Sequence, residues 1–197
     1  MSRKAIVTGG ARGIGKEIAL AFAREGANLV IHYKSSAEGA EEAVSRAREL
    51  GVEALALQAD ISDSGHVARM FEKIKEHYST LDVLVNNASN VLGGPTVSFP
   101  DKAWRSQMSV CLDGTFFCSR EALKIMLEKR AGKIINISSV SGLGAFSETA
   151  AYSAAKAGVI GFTRALAKEV IPMGVYVNAV APGFIDSPLI ADFVNSE

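Results

Sequence analysis

Short runs of β-branched and aliphatic residues alternate along the chain with longer segments in which apolar residues recur at helical spacing. A parallel pair of strands needs a crossover of a dozen or more residues, so this alternation predicts parallel strands joined by helices. The predicted strands lie near residues 4–8, 28–33, 53–58, 81–86, 133–138 and 175–181. The predicted helices fill residues 14–25, 36–50, 64–78, 101–129 and 151–171. We therefore expect an α/β fold, a doubly wound parallel sheet with helices on both faces.

Glycines interrupt this pattern where helices are expected to end. Gly26, Gly51 and Gly132 each follow a helical stretch, where a left-handed cap favours a residue without a Cβ. No internal repeat, low-complexity tract or Pro/Gly/Ser-rich linker divides the chain, so residues 1–197 are predicted to form one domain. Residues 88–100 form the longest irregular stretch after the fourth strand and are expected at the rim of a site.

The composition limits the classes of partner. Lysines and arginines number 21, as do aspartates and glutamates, so no net field attracts nucleic acid or an anionic membrane. The histidines, His32, His66 and His77, fall on separate elements without ligand spacing, so we predict no metal site and expect all three at the surface or in caps. The expected partners are small molecules and further copies of the chain.

The cysteines and the hydropathy favour a cytoplasmic protein. Cys111 and Cys118 lie on one predicted helix, roughly 10 Å apart along its axis, which is too far for a disulfide within the chain. No apolar run approaches the roughly 20 residues of a membrane-spanning helix. A reduced, cytoplasmic setting is therefore expected.

A glycine-rich turn joins the first predicted strand to the first helix. Gly9, Gly13 and Gly15 give the pattern G-x-x-x-G-x-G, with Ile14 inside it, in the strand-to-helix context typical of Rossmann-type dinucleotide binding. Such glycines let the backbone approach a pyrophosphate, and the helix N-terminus offers unpaired N–H groups. The spacing differs from the common G-x-G-x-x-G, and a tight turn without a ligand is the alternative.

The end of the second predicted strand discriminates between nicotinamide cofactors. NAD enzymes place an acidic residue in this region to bind the ribose 2'-hydroxyl. Here the segment reads His32-Tyr33-Lys34-Ser35, and no acid follows before Glu38. Lys34 and Arg12 could pair with a 2'-phosphate instead, so NADP(H) is favoured over NAD(H). In the alternative interpretation both cations are solvated loop residues.

Three residues near the C-terminal half form a candidate catalytic group. Tyr152 and Lys156 are four residues apart, so on one helix they share a face. A free tyrosine has a pKa near ~10, and a nearby ammonium is expected to lower it toward the working range of an acid or base. Ser139 follows the fifth predicted strand, where its hydroxyl could hold a substrate oxygen. Singly, the three could also be a turn cap, a core-edge aromatic and a solvated lysine.

In their order along the chain, these motifs resemble the short-chain dehydrogenase/reductase family. By that resemblance Ser139, Tyr152 and Lys156 are the catalytic residues. The resemblance implies that the cofactor is held by the glycine turn, by Asp60 and Ile61 at the adenine, by Asn87 and Ala88 after the fourth strand, and by Pro182, Gly183, Ile185 and Ser187 at the carboxamide. The similarity is closest to 3-oxoacyl-[acyl-carrier-protein] reductases and to sugar or other alcohol dehydrogenases. The sequence does not choose among their substrates.

Two residues depart from the family's pattern. Cys111 stands where the family has a fourth catalytic residue, an asparagine that helps to hold a water beside the lysine. Because a thiol is a weaker hydrogen-bond partner than an amide, Cys111→Asn is expected to raise turnover. Ser89 stands where glycine usually follows the Asn-Asn-Ala run, and it is expected to adjust the pocket floor only.

The chain ends at Glu197, whereas relatives of this family usually continue with a further helix pair and a seventh strand. We therefore expect a sheet that lacks its final strand, in a truncated or naturally short chain. The predicted helices around residues 104–123 and 151–167 are apolar or small on more than one face, which favours a homodimer or homotetramer. A loop that covers the second face is the alternative.

The predicted function is transfer of a hydride between NADP(H) and a carbonyl or secondary alcohol, with a small molecule or an acyl thioester as substrate. The alternative is a catalytically impaired nucleotide-binding or scaffold protein of the same fold. Cys111 and the early end of the chain favour that alternative, whereas Ser139, Tyr152 and Lys156 together favour the enzyme.

Overall fold

The computed structural model describes residues 2–144 and 146–186. Six strands form one sheet within this part of the chain. Their bounds are β1 Lys4–Val7, β2 Asn28–Tyr33, β3 Ala54–Gln58, β4 Val83–Asn86, β5 Gly132–Ile137 and β6 Val175–Val180. Each strand lies within two residues of its predicted position at either end, because short β-branched runs flanked by polar residues mark strands clearly.

Six α-helices connect the strands or precede them. Their bounds are α1 Gly13–Arg24, α2 Ala37–Glu49, α3 Ser64–Tyr78, α4 Asp101–Met108, α5 Gly114–Met126 and α6 Ala150–Val170. The single helix predicted over residues 101–129 is wrong in one respect: a π-helical segment, Ser109–Asp113, separates α4 from α5. Such segments insert an extra residue into the helical ladder and are frequent at functional sites.

The sheet is parallel throughout, with strand order β3-β2-β1-β4-β5-β6. The order reverses between β1 and β4, so the loops that leave these strands diverge and open a crevice at their carboxyl ends. The doubly wound parallel sheet predicted from the sequence is confirmed. The crevice lies where such sheets bind ligands.

Helices cover both faces of the sheet. On one face α1 and α2 pack their buried alanines and Val44 against β1, β2 and β4. On the other face α3, α5 and α6 bury large aliphatic and aromatic side chains, among them Ile74, Met126 and Val170. At the β6 end of the first face Tyr176 and Val180 are exposed, and no helix among the described residues covers them.

A buried polar ladder fixes α5 and α6 against the sheet. The Asn86 amide at the end of β4 donates to Ser119 Oγ of α5 at 3.0 Å and to Asn136 Oδ1 of β5 at 2.8 Å. Asn136 in turn donates to Thr163 Oγ1 of α6 at 2.9 Å. Buried polar groups need such partners, so the ladder specifies one register between helix and strand.

The glycine caps predicted for the helix ends are confirmed at two of three positions. Gly26 and Gly51 adopt left-handed φ values of 75° and 86°. Gly132 is not a cap: Arg130 takes the left-handed conformation, with φ 53°, and Gly132 begins β5. Gly132 is small for a different reason, because a Cβ there would overlap the side chain of Met126.

Candidate functional site

Two adjoining cavities open at the carboxyl ends of the strands. The glycine-turn cavity, about 330 Å³, is lined by the loop after β1, the end of β2 and Asp60. The tyrosine cavity, about 370 Å³, is lined by the residues after β5, the start of α6 and the loop after β6. Ile14, Asn87 and Ser89 line both, so the two cavities form one continuous cleft. All site residues predicted from the sequence and described by the structure line this cleft except Cys111, which lies behind it.

The glycine turn forms one wall because its backbone adopts conformations that side chains would prevent. Gly9 and Gly13 have positive φ values of 64° and 53°. Gly15 lies so close to the carbonyl of Gly9 that a Cβ on it would overlap that oxygen. Arg12 and Ile14, between these glycines, line the cavity where α1 begins. The turn therefore presents backbone N–H groups at a helix N-terminus, which suits an anionic ligand.

The segment after β4 holds this turn in place. Asn87 Nδ2 donates to the carbonyl of Thr8 at 2.9 Å and to that of Gly9 at 3.3 Å. Thr8 Oγ1 accepts from the backbone N–H groups of Asn87 and Ala88 at 2.9 and 3.0 Å. Asn87 and Ala88 thus lie beside the cleft, as expected, and brace the turn through its first residues.

His32 supports the turn from beneath, so its expected place at the surface or in a cap is wrong. Its side chain is buried, Nδ1 accepts from the Gly9 N–H at 3.1 Å, and Nε2 donates to the Ala59 carbonyl at 3.1 Å. These two bonds require the neutral imidazole. Burial lowers the pKa of His32, although Ala59 and Asp60 act in the opposite direction. Its position inside a predicted strand of mostly apolar residues was the signal available in the sequence.

Lys34 lies at the end of β2 as predicted, where it forms an ion pair. Its ammonium is 2.6 Å from Asp60 Oδ2, and its side chain is 64% exposed. Partial burial would raise the pKa of Asp60, but hydrogen bonds from Lys34 and Ser62 lower it to about 2. Tyr33 and Ser35 line the same cavity. The end of the cavity next to β2 and β3 therefore carries charges of both signs.

Ile61 forms part of the same wall. It is buried after β3, and Gly114 at the start of α5 packs directly on it, since a Cβ on Gly114 would overlap the Ile61 side chain. Asp60 and Ile61 therefore reach the cavity together, as the sequence predicted.

Ser139, Tyr152 and Lys156 meet in the tyrosine cavity. Ser139 follows β5 and its Oγ accepts from the Ser141 N–H at 3.1 Å. The Lys156 ammonium is buried beneath the Tyr152 ring, 5.6 Å from its centroid, and donates to the Ile137 carbonyl at 2.8 Å. The three side chains thus converge from a strand end and a helix, as their spacing predicted.

The expected lowering of the Tyr152 pKa by Lys156 is not found. The pKa of Tyr152 is raised by burial and, to a smaller extent, by Cys111, while the nearby Ser139 and Ser89 hydroxyls act in the opposite direction. Burial also lowers the pKa of Lys156, while the nearby Cys111 sulfur acts in the opposite direction. Desolvation disfavours the charged form of both groups, so this end of the cleft favours a neutral phenol.

Cys111 lies in the π-helical segment, behind the Tyr152 and Lys156 side chains. Like Cys118, it is a buried, free cysteine. Its Sγ is 3.2 Å from Ser89 Oγ and 3.1 Å from Gln107 Nε2. The effect of Cys111→Asn on turnover stays a prediction.

The loop after β6 closes the cavity on its far side. Pro182, Gly183 and Ile185 line it, and the Pro182 carbonyl accepts from the Val140 N–H at 3.0 Å. Ser187 lies outside the described residues. Phe184 packs edge-on against Phe146 at 5.3 Å between ring centroids. The segment 146–149 lines the same cavity and was not predicted as part of the site. Its place in the chain, between the strand that ends before Ser139 and the helix with Tyr152, was the signal available in the sequence.

Residues 2–144 and 146–186 contain no group of three or more His, Cys, Asp or Glu side chains placed to hold a metal ion. Within the same ranges no helix has the length and apolarity needed to cross a bilayer.

The sequence matches a known family and several characterised proteins. The model of the short chain dehydrogenase family matches residues 3–197. A 3-oxoacyl-[acyl-carrier-protein] reductase of Staphylococcus aureus is 41% identical over 189 residues, which are 96% of this chain and 77% of that protein. Its counterpart in Synechocystis is 42% identical over 181 residues, 92% of this chain and 73% of that protein.

Solved structures share the fold over nearly the whole chain. An actinorhodin polyketide ketoreductase variant determined with NADPH superimposes with a TM-score of 0.95 at 36% identity, covering 99% of this chain and 75% of that one. The acetoin dehydrogenase YohF of Salmonella typhimurium gives a TM-score of 0.92 at 36% identity, covering 96% of this chain and 75% of that one.

Proposed function

Because the chain belongs to the short-chain dehydrogenase family, and is therefore an oxidoreductase that transfers hydride, we propose that it is an NADP(H)-dependent carbonyl reductase or alcohol dehydrogenase. The observation that carries the proposal is the meeting of Ser139, Tyr152 and Lys156 in a cavity continuous with the glycine turn. Bound NADP(H) would supply or accept the hydride. The chain's own residues would bind the cofactor, orient the substrate, and donate or accept the proton.

The glycine-turn cavity suits a dinucleotide. A Cβ on Gly15 would fill the space in which the backbone of the turn is formed, and the N-terminus of α1 faces the cavity. We propose that Gly9, Arg12, Gly13, Ile14 and Gly15 hold the pyrophosphate. The remaining contacts would come from Asp60 and Ile61 at the adenine, Asn87, Ala88, Tyr152 and Lys156 near the ribose, and Pro182, Gly183, Ile185 and Ser187 at the carboxamide.

NADP(H) is favoured over NAD(H) by the charges at the end of β2. No acidic residue follows the strand before Glu38, and Lys34 and Arg12 lie at the cavity with Tyr33 and Ser35. A 2'-phosphate would compete with Asp60 for Lys34, and its two negative charges would make it the stronger partner. The polyketide ketoreductase of similar fold was determined with NADPH, which supports the same choice.

Tyr152 is the proposed proton donor in ketone reduction and the proton acceptor in the reverse reaction. Burial raises the pKa of Tyr152, so the phenol keeps its proton at neutral pH. Ser139 would hold the carbonyl oxygen, and Lys156 would stabilise the phenolate left behind.

The proposed substrate is a ketone, with a 3-oxoacyl thioester as the first candidate. Two 3-oxoacyl-[acyl-carrier-protein] reductases are about 40% identical to this chain. The wall of the tyrosine cavity includes Val91, Phe146 and Phe184, which suit an aliphatic chain. The similar acetoin dehydrogenase makes small hydroxyketones the second candidate. A catalytically impaired scaffold is not proposed, because the three catalytic candidates meet in one cavity.

Oxidation of NADPH by a panel of ketones tests the proposal. Acetoacetyl and longer 3-oxoacyl thioesters, acetoin and simple cyclic ketones would be compared at equal concentration, each with NADPH and with NADH. We expect turnover of the thioesters and a clear preference for NADPH. Binding of NADPH without turnover of any ketone would overturn the proposed activity, and equal rates with NADH would overturn the cofactor assignment.

We also propose that the protein is cytoplasmic and forms a homodimer or homotetramer. Trp104 of α4 and Phe116 of α5 are 42% and 41% exposed, and Arg120 lies over the Phe116 ring at 5.3 Å. Aromatic and arginine side chains together are typical of protein interfaces. Light scattering at micromolar concentration would measure the assembly, and a monomer would contradict this part of the proposal.

A further inference from the structure

The segment after β4 is held in place by one buried side chain of α4. Gln107 is fully buried; its Oε1 accepts from the Leu92 N–H at 2.8 Å, and its Nε2 donates to the Asn90 carbonyl at 2.6 Å. An amide that bonds the backbone on both sides of Val91 fixes the path of the chain there. Asn90 lines the glycine-turn cavity and Val91 lines the tyrosine cavity, so Gln107 holds a piece of wall that serves both.

The hydrogen bonds of Gln107 depend on its amide and not only on its size. Nε2 also lies 3.1 Å from Asn90 Oδ1 and 3.1 Å from Cys111 Sγ. An apolar side chain of the same length would leave the Asn90 carbonyl and the Leu92 N–H without these partners, and both would have to move toward water to replace them. The position of the segment therefore depends on the chemistry of residue 107.

The same segment holds a second wall of the tyrosine cavity. The Gly94 N–H donates to the Glu148 carbonyl at 2.8 Å. Glu148 belongs to the segment 146–149, which lines that cavity, and it has a positive φ of 61°. A side chain in the left-handed region is strained, so this conformation depends on the contacts that hold it. Hydrogen bonds thus run from Gln107 through residues 90–94 to the segment 146–149.

We propose that Gln107 is a positioning residue for ketone binding: by holding residues 90–94 it keeps Val91 and the segment 146–149 at the wall of the tyrosine cavity, where they contact the substrate. The proposal rests on the proposed function, because the cavity binds a ketone only there. Gln107 itself lines neither cavity, so it acts through these two walls.

The other parts of the cleft do not depend on Gln107 in the same way. The glycine turn is held separately, since Asn87 Nδ2 donates to the carbonyls of Thr8 and Gly9. The three catalytic candidates come from the end of β5 and from α6, whereas Gln107 bonds the segment after β4 and Cys111. Loss of the Gln107 amide should therefore affect the binding of a ketone more than the binding of NADPH or the rate of the chemical step.

Hydrogen exchange of single backbone amides, measured by NMR, tests the proposal without turnover. Gln107→Met keeps about the length of the side chain and removes its hydrogen bonds. The Leu92 and Gly94 amides should exchange about 10-fold faster in this variant, because local opening then breaks fewer bonds. The Asn87 N–H, which donates to Thr8 Oγ1, should exchange as in the parent protein. An unchanged rate at Leu92 or at Gly94 would overturn the proposal.

Ketone kinetics provide the second readout. Gln107→Met should raise KM for a longer 3-oxoacyl thioester by about 5- to 10-fold, the effect of one or two lost hydrogen bonds on the wall, while kcat and the Kd for NADPH change by less than about twofold. Acetoin is smaller and contacts less of the wall, so its KM should change less. Equal loss for both ketones and for NADPH would overturn the proposal.

Gln107→Glu is the conservative variant, and it also serves if Gln107→Met folds poorly. A protonated carboxyl accepts from the Leu92 N–H and donates to the Asn90 carbonyl as the amide does, whereas a carboxylate cannot donate. Burial raises the pKa of a carboxyl, so protonation is expected within the range from about pH 8 to about pH 6. Over that range KM in Gln107→Glu should fall toward the parent value. A KM that stays raised throughout would assign residue 107 to packing alone and overturn the proposal.

Tyr78→Phe is the control for a general loss of stability. It removes a buried hydrogen bond to the Leu29 carbonyl, 3.3 Å long, and Tyr78 lines neither cavity. KM and the exchange of Leu92 and Gly94 should stay as in the parent protein. Equal shifts in Tyr78→Phe and Gln107→Met would overturn the proposal. If the parent protein reduces no ketone, the proposed function fails, while the exchange rates still decide whether Gln107 holds the two walls.

Discussion

The two cavities of the cleft treat charge in opposite ways. In the glycine-turn cavity Lys34 is exposed and paired with Asp60, whose pKa is lowered to about 2, so the carboxylate remains ionised at neutral pH. In the tyrosine cavity Lys156 is 3% exposed and its pKa is lowered, while the pKa of Tyr152 is raised, so both shift toward their neutral forms. Burial of the individual groups accounts for the difference, because the Lys34 side chain lies largely in solvent whereas Lys156 is removed from it, and desolvation disfavours the charged form. Fixed charges suit the binding of an anionic ligand, whereas groups shifted toward their neutral forms suit the transfer of a proton.

The largest effect is expected from a variant that removes the proton donor of the tyrosine cavity and leaves the glycine-turn cavity unchanged. Tyr152→Phe should lower kcat for ketone reduction by about 10²- to 10⁴-fold, because the ring remains but the proton donor is lost. NADPH affinity should fall much less than kcat, since only the proposed Tyr152 contact near the ribose is lost and the charged groups at the other end of the cleft are untouched. Steady-state kinetics and NADPH fluorescence titration measure the two quantities.

Tyr176→Phe is the matched control for that variant. Tyr176 lies on β6, is 54% exposed and lines neither cavity of the cleft. Loss of the Tyr176 hydroxyl should leave kcat unchanged. Retention of wild-type kcat by Tyr152→Phe would refute the proposed mechanism.

A smaller effect is expected from a variant of the glycine-turn cavity, which is proposed to bind the cofactor. Lys34→Glu should weaken NADPH binding by about 10- to 100-fold and affect NADH much less, because one charge-assisted contact to the 2'-phosphate becomes a repulsion. Lys34→Gln removes the charge without adding repulsion, including repulsion with Asp60, and should fall between. The measurement is the ratio of the KM values for NADPH and NADH.

Lys168→Glu makes the same change of charge on the exposed end of α6, away from the cleft. It controls for the altered net charge and should leave the ratio as in the parent protein. An unchanged ratio in Lys34→Glu would mean that Lys34 remains with solvent and Asp60 when NADPH is bound, and the choice of NADP(H) would lose its main support.

The smallest expected effect concerns how the free energy of unfolding depends on pH through His32, which supports the glycine turn. The pKa of buried His32 lies below its ordinary value of 6.5, so the unfolded chain binds a proton first as the pH falls. Its contribution to the free energy of unfolding is therefore complete above pH 6.5 and is lost as the pH falls from there toward the lowered pKa. Urea unfolding at a series of pH values measures this slope.

His32→Asn sharpens that measurement. The asparagine amide can replace at least one of the two hydrogen bonds and does not titrate, so the slope due to residue 32 should vanish. His66 and His77 are present in both proteins, and their contributions cancel in the difference. Identical slopes would show that His32 is not kept neutral by the fold.

The sequence was sufficient where a local pattern determines the structure. The doubly wound parallel sheet followed from alternating elements, and the glycine turn from Gly9 and Gly13, which adopt positive φ values, and Gly15, where a Cβ would overlap the Gly9 carbonyl. The meeting of Ser139 with Tyr152 followed from strand-end geometry together with helical spacing. These features depend on residues that are close in sequence or on general rules of parallel sheets.

Features that depend on packing between distant segments were beyond sequence reasoning. Burial of Tyr152 by the segment 146–149 and the loop after β6 reversed the expected direction of its pKa. The π-helical segment cannot be distinguished from a regular helix by periodicity, because one added residue leaves the apolar pattern intact nearby. The positions of the His32 and Ser89 side chains depend on partners on other elements, Ala59 and Cys111.

The polar ladder of Asn86, Asn136 and Thr163 sets the position of the proton donor from a distance. Thr163 lies roughly 16 Å along α6 from Tyr152, and a helix is nearly incompressible along its axis. Sliding α6 by even one residue would leave amide groups of the ladder unmatched in the interior. The polar ladder lines neither cavity, yet it thus fixes how far the Tyr152 phenol reaches into the cleft.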